Sequence, residues 1–316
     1  MKPAFSIIFF TVSSGAGLGL LALIALVDTL AADSLAAQAL RYGAILGFVL
    51  VAAGLASSVL HLANPKNAWR AFSRFRSSWL SREAVFAAGL FPVTALYILL
   101  LANDRGGGRA LLALVTMALA WAVLACTAMI YASLKPIRQW HTRWTPANYF
   151  LLGHWSGALL LCAIASVYSA APVPLLILAG ALGVASLAAK LAYWYAIGRG
   201  APTTLEQAIG VAQGVRGPGA PSVARARLLD VGHSRGTFLT DEFGFALARR
   251  HATMLRAIAL VLAFGVPLPW LLAGMAHWQP ALVPAACCII GLLVERWLFF
   301  AEAKHTVRLY HGDPRT

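Results

Sequence analysis

His61, Glu83, His154, Lys190 and Glu295 are side chains able to do chemistry, and each lies within or at the edge of a long apolar run. An ionisable group in such a run costs free energy unless it is paired or functional. His61 and Glu83 bracket the stretch HLANPKNAWRAFSRFRSSWLSREAVF, a basic and aromatic island between two apolar segments. An imidazole donates hydrogen bonds and exchanges protons near neutral pH, and a carboxyl group is a natural second proton carrier. Set at one level on neighbouring antiparallel segments, the two would exchange two protons with a reducible ring. Each also has a plainer reading. His61 serves equally as a packed histidine bonded to backbone or to a serine. Glu83 follows Ser81, which resembles a helix N-cap, so an early glutamate favours the helix dipole, and Arg82 is at hand to pair with it. Trp69, Phe72, Phe75 and Trp79 between them read first as anchors at a membrane–water interface.

The rest of the chain must hold that island in place, and its composition says in what solvent. Of 316 residues, 60% are hydrophobic and only 11% charged, with a mean hydropathy of +0.75. A soluble domain of this length cannot hide so much apolar surface, which makes a lipid bilayer the expected solvent. Apolar runs long enough to span fall at about 5–30, 40–63, 82–102, 109–134, 149–170, 173–197, 253–276 and 281–303. The first continues well past signal-peptide length and lacks a clear cleavage site. The expected fold is all-α: a polytopic membrane protein of eight transmembrane helices in one domain over residues 1–316. The even grouping also permits two four-helix halves, 1–134 and 149–303. Thr145-Pro146 reads as a helix start, and Gly106-Gly107-Gly108, Pro172 and Pro174 as breaks.

Connections alternate in character. One side, X, carries both termini and the loops at 64–81, 135–148 and 198–252. The other, Y, together with its helix ends, carries only Arg41, Arg105 and Arg109, and Lys190 lies within a span. The remaining Lys and Arg belong to X or to the helix ends beneath it. The short X loops hold Lys66, Arg70, Arg74, Arg76, Lys135, Arg138 and Arg143, which places X and both termini in the cytoplasm by the positive-inside rule. A net charge of +14 thereby finds its explanation in membrane orientation, and no nucleic-acid partner is expected. The 198–252 connection is the only substantial extramembrane piece, a linker or a partner-docking surface, whose second half looks like a helix entering the seventh span.

Further candidates follow from helix geometry. Gly43, Gly47, Leu50, Gly54, Ser58 and His61 share one face, with a GxxxG that admits a close helix neighbour. Lys190 and Glu295 each sit about two turns from X and would pair or carry protons; snorkelling by Lys190, or Arg296 serving Glu295, would account for them separately. His61 and His154 are the histidines placed within spans, so haem b would require those two; haem is not the favoured reading. Cys126, Cys162, Cys287 and Cys288 lie in apolar runs without metal-ligand spacing and read as small buried hydrophobes, which leaves any iron–sulfur cluster to another polypeptide.

The island is specific enough to carry a likeness. His61-Leu62, Asn64-Pro65, Ala68-Trp69-Arg70-Ala71, Ser73-Arg74-Phe75-Arg76 and Ser78-Trp79-Leu80-Ser81-Arg82-Glu83 together resemble the membrane-anchor subunit of dimethyl sulfoxide reductase. A second segment, Glu242-Phe243-Gly244-Phe245 with Arg249-Arg250-His251 and Arg256, is similar too. The resemblance implies the membrane member of a molybdoenzyme in a bacterial inner membrane. Its partners would be a molybdopterin catalytic subunit and a ferredoxin-like iron–sulfur subunit, with ubiquinone or menaquinone bound beneath them and no molybdenum or iron–sulfur cluster in this chain. It also implies His61 and Glu83 at the quinone, in a site to which Ser58, Trp79 and Arg82 would contribute, under a docking surface of Lys66, Trp69, Arg70, Arg74 and Arg76. A cytoplasmic X side is similar to the arrangement of the cytoplasm-facing sulfite dehydrogenase complex, which oxidises sulfite and reduces quinone. A quinol-oxidising dimethyl sulfoxide-type reductase is the alternative, and a transporter or a purely structural anchor are the rivals from other classes. Gly15, Gly17 and Gly19 in the first span, with Lys190 and Glu295, are the hints toward a transporter.

Overall fold

The computed structural model describes residues 3–59, 65–103, 108–168, 171–199, 203–208, 250–274 and 281–311. Among these, eight helices are long and apolar enough to cross a membrane. They are α1 (Phe5–Ala31), α2 (Ala37–Val59), α3 (Trp79–Asn103), α4 (Gly108–Ala132), α5 (Trp144–Tyr168), α6 (Val173–Arg199), α7 (Ala252–Ala273) and α8 (Leu282–Ala301). Among the described residues the β structure is limited to one isolated bridge, Ile137 with His305.

Three helices begin at least three residues earlier than apolar content predicts, α2, α3 and α5, the last two for a visible local reason. Ser78 accepts the N–H of Ser81 (3.4 Å), the bond of an N-cap, so α3 starts at Trp79. Ser81, the expected cap, instead donates to the Ala71 carbonyl and accepts the Arg74 N–H (3.0 Å). Thr145 donates to the Trp140 carbonyl (2.7 Å), and α5 is already under way at Trp144.

The first helix is the axis of the bundle. It is buried along nearly all its length, packing on α2, α4, α5 and α8, so the two runs of four helices are joined through it. Its glycines allow this. A Cβ on Gly17 would lie 2.7 Å from the Gly47 carbonyl oxygen of α2, and one on Gly19 would overlap the Gly153 backbone of α5. Without a hydrophobic drive between helices in lipid, such close backbone contact is what dispersion has to work with. The glycines therefore mark packing surfaces on an unbroken helix, where the transporter reading required a broken one.

The seventh span answers a proline. In regular α-helix the carbonyl of Ala263 would take the N–H of residue 267, but Pro267 has none. The chain forms a π-turn over Val261–Gly265, with Val266 N–H bonded to the Val261 carbonyl (2.9 Å). The Ala263 carbonyl then accepts the indole N–H of the fully buried Trp155 (3.0 Å). Trp155→Phe, which keeps an aromatic ring and orphans that carbonyl, should cost about 1–3 kcal/mol, read as a lowered denaturation midpoint in detergent.

Each end of the bundle has its own lock. At the Y end Asp28 of α1 accepts the Tyr97 hydroxyl of α3 (3.0 Å) and pairs with both Arg109 nitrogens of α4 that face it. At the X end Trp140 donates to the Phe299 carbonyl (2.9 Å), within an aromatic cluster that includes Tyr131, Tyr149 and Phe300. Thr306 N–H bonds to the Pro136 carbonyl (3.1 Å), tying the C-terminal segment to the 135–148 loop.

Candidate functional site

The island between α2 and α3 folds as a 3-10 helix, Pro65–Arg74, followed by a turn into α3. Its outer face is open: Lys66, Arg70, Arg74 and Arg76 are exposed, Trp69 is 66% exposed, and Phe72 is 50% exposed. This is a cationic and aromatic shelf on side X. Arg82 fastens its C-terminal end, with Nε donating to the Phe75 carbonyl (3.0 Å) and Nη2 to the Arg76 carbonyl (2.8 Å). The same guanidinium stacks 4.2 Å from the centroid of the Trp79 ring. Arg82 is thus committed to the loop, where the sequence suggested it as the partner of Glu83.

Glu83 turns inward from there and is 3% exposed. Because α3 begins at Trp79, Glu83 lies past the first turn, and its place owes nothing to the helix dipole. Its carboxyl meets the hydroxyl of Thr127 on α4, and Thr127 also sits 3.0 Å from the Val123 carbonyl. A hydroxyl has one proton to give. With Glu83 ionised, Thr127 donates to the carboxylate. With Glu83 protonated, Glu83 donates to Thr127, and Thr127 donates to Val123. The contact therefore survives in either protonation state, which suits a group that exchanges protons. Thr127 carries no signal in the sequence, since a threonine in an apolar helix usually bonds only its own preceding turn.

His61 lies outside the described residues. The face leading to it is as read as far as Gly54, whose missing Cβ lets the Ser14 backbone approach. At the next turn the packed residue is Ser57, donating to the Ser6 carbonyl of α1 (3.0 Å), while half-buried Ser58 donates to the Leu55 carbonyl of its own helix (2.7 Å).

His154 does not offer a ligand position. Its Nδ1 bonds the Phe150 carbonyl (2.7 Å) and its Nε2 accepts the Trp121 indole N–H (2.9 Å), which occupies both nitrogens. It also sits ten residues into α5, about 15 Å from the X end of that helix, deeper than a span starting at 149 implied. Among the described residues no three His, Cys, Asp or Glu side chains gather where a metal could bind.

Lys190 and Glu295 are brought together as an ion pair, with both side chains buried, and Arg296 Nε approaches the other carboxylate oxygen at 3.5 Å. Sequence reading found this pair because two charges in apolar helices need each other. It did not reach Asp28, which pairs with Arg109 at the Y end, nor the part played by Tyr149, over which Arg296 lies at 3.9 Å.

Comparison with known proteins joins these features to a family. Residues 1–301 match the description of the DMSO reductase anchor subunit (DmsC). The sequence is 36% identical to a sulfite dehydrogenase subunit of Allochromatium vinosum, over 98% of this chain and 99% of that protein. It is 31% identical to an anaerobic dimethyl sulfoxide reductase polypeptide of Escherichia coli, over 36% of this chain and 40% of that one. A match that runs through all eight spans and includes the basic shelf leaves one assignment: the chain is a multi-pass membrane protein belonging to the DMSO reductase anchor subunit family.

Proposed function

We propose that the chain is the quinone-reactive anchor of a three-part molybdoenzyme, passing electrons between the membrane quinone pool and an iron–sulfur subunit docked on side X. The observation that carries this reading is Glu83: a buried carboxyl at the X end of α3, held by Thr127 in a way that tolerates both protonation states, directly beneath an exposed cationic and aromatic shelf. A quinone, when bound, supplies two-electron, two-proton redox chemistry. Glu83 holds and releases a proton at its carboxyl oxygens, and His61 bonds a headgroup carbonyl. Trp79, Arg82 and Ser58 bound the site, with Arg82 fixing the loop above it. Lys66, Trp69, Arg70, Arg74 and Arg76 meet the iron–sulfur subunit, which in turn carries the molybdopterin catalytic subunit. Cation-rich shelves steer an acidic partner, and exposed aromatics bury against it.

The whole-length likeness to a sulfite dehydrogenase subunit, against a partial likeness to a dimethyl sulfoxide reductase polypeptide, supports sulfite oxidation with quinone reduction. Purification through this chain, followed by subunit identification, metal analysis and quinone-analogue binding, tests the proposal. Co-purified iron and molybdenum with analogue binding is the expected result. An isolated chain that takes up a labelled solute would point to a transporter, and a complex that binds no analogue would leave a structural anchor.

Side X is proposed to be cytoplasmic. A reporter fused after Thr316 should be active only as a cytoplasmic fusion, and a periplasmic signal would overturn the orientation. With quinone chemistry and catalysis on one side, turnover in sealed vesicles should build little or no proton gradient.

A further inference from the structure

Polar residues that the Glu83 site leaves unused form a line across the X-side half of the bundle. At the outer end Arg256 of α7 pairs with Glu302, just past α8, at 2.8 Å. The Arg256 guanidinium lies 5.3 Å from the Trp194 ring centroid, and Lys190 Nζ lies 5.1 Å from the same ring. Lys190 pairs with Glu295, Arg296 follows at 3.5 Å, and its guanidinium stacks on Tyr149. Tyr149 stacks on Tyr131 with centroids 5.7 Å apart. Tyr131 stands one turn beyond Thr127, the partner of Glu83, on α4.

Two properties of this line bear on its use. First, Lys190 and Arg296 face the single carboxylate of Glu295. The fully ionised trio carries one net positive charge in a medium where that is costly, and passing on one proton makes it neutral. Second, Arg296 Nη1, the Tyr149 hydroxyl and Glu295 Oε2 are buried with no hydrogen-bond partner among the described residues. Arg296 and Tyr149 both line a small cavity between α1, α5 and α8, together with Thr11, Gly15, Gly153 and Ser156. The Thr11 and Ser156 hydroxyls already donate within their own helices. The guanidinium N–H and the phenol therefore remain to bind a ligand, in a space about the size of one water molecule. Water, which both donates and accepts, fits that pair.

We propose that a water bound by Arg296 Nη1 and the Tyr149 hydroxyl completes a proton relay from the Lys190–Glu295 pair to the Tyr149–Tyr131 stack on the Glu83 side of the bundle. This rests on the quinone reading. For each quinone reduced, two electrons arrive from the docked partner and two protons are taken up from side X; the relay carries only the protons. The ionisable groups facing the cavity and its cluster are Arg296 and Glu295 from α8, Glu302 just past it, Lys190 and Tyr193 from α6, Arg256 from α7, Tyr149 from α5 and Tyr131 from α4, with Glu83 of α3 beyond them. The cavity lining from α1 contributes no ionisable side chain.

The test uses the complex purified through this chain and reconstituted in vesicles. Tyr149→Phe keeps both ring stacks and removes only the hydroxyl; Glu295→Gln keeps the shape and removes the proton carrier. Each should lower quinone-linked kcat about tenfold or more, change the pH profile, and leave the quinone KM and analogue binding as in the parent, with azide or formate restoring rate. Parental kcat at every pH in both variants would overturn the relay. So would a fall in analogue binding that matches the fall in rate, which would mark the residues as structural. If the parent complex itself binds no analogue, the quinone reading fails first and the relay with it. Tyr149→Phe serves as the decisive variant should Glu295→Gln not assemble.

Discussion

Glu83→Gln is expected to lower quinone-linked turnover of the assembled complex by about 10²–10⁴-fold, the usual contribution of a positioned proton donor or acceptor. The amide still accepts from Thr127 and has nearly the volume of the carboxyl, so α3 and α4 should stay packed and the complex should still purify intact. What is lost is the ability to carry a proton. His61→Ala should act on the same step, and the double variant should cost little more than either single one if the two residues work as a unit. The split between kcat and KM matters: a raised KM with unchanged kcat would mean that Glu83 only helps binding. Unchanged turnover would remove Glu83 from the chemistry, and loss of assembly would make it a structural residue.

Gly157→Leu is expected to prevent accumulation of folded protein in the membrane. A Cβ at Gly157 would fall on the backbone of Gly19 and Leu20, and backbone cannot rotate out of the way as a side chain can. Typical overpacking costs about 1–3 kcal/mol, and here α1 would have to leave α5 altogether, so the upper end or beyond is expected. Gly19→Leu, on the facing surface, should do the same. Gly89→Ala and Gly180→Ala are the controls. Nothing lies within 4 Å of a Cβ at either position, and alanine favours helix, so the yield of folded protein should hold or rise. Yield and thermal stability in detergent read the contrast. Equal behaviour of all four variants would contradict the central position of α1.

Much of this molecule was legible because lipid imposes simple rules. A run of apolar residues near the bilayer thickness has to be a helix, and all eight spans followed from that. Helix starts slipped at Trp79 and Trp144 because they are decided by cap chemistry at Ser78 and by hydrogen bonds of Thr145, outside the apolar run that betrays the span. Lys190 and Glu295 could be paired from sequence, since each charge needs a partner and both lie at one depth. The partner of Glu83 could not, because one buried hydroxyl such as Thr127 satisfies it and the apolar helices offer many. The glycines of α1 were visible as residues but not as surfaces: Gly17 and Gly19 gain their meaning only from Gly47 and Gly153, far along the sequence. Asp28 was hidden by its position at the end of a span, where an acid is commonplace.

The central placement of α1 has a consequence for how the protein is made. This helix is made before its partners, yet the grooves cut by Gly17 and Gly19 match surfaces on α2 and α5, the second of which is synthesised more than a hundred residues later. Until α5 enters the membrane, one flank of α1 faces lipid across shallow glycine notches that acyl tails fill poorly. Nascent polypeptides halted before α5 should therefore be held by the insertion machinery or degraded, while those halted after α5 should persist. Biogenesis of this protein is thus expected to be gated at its fifth helix.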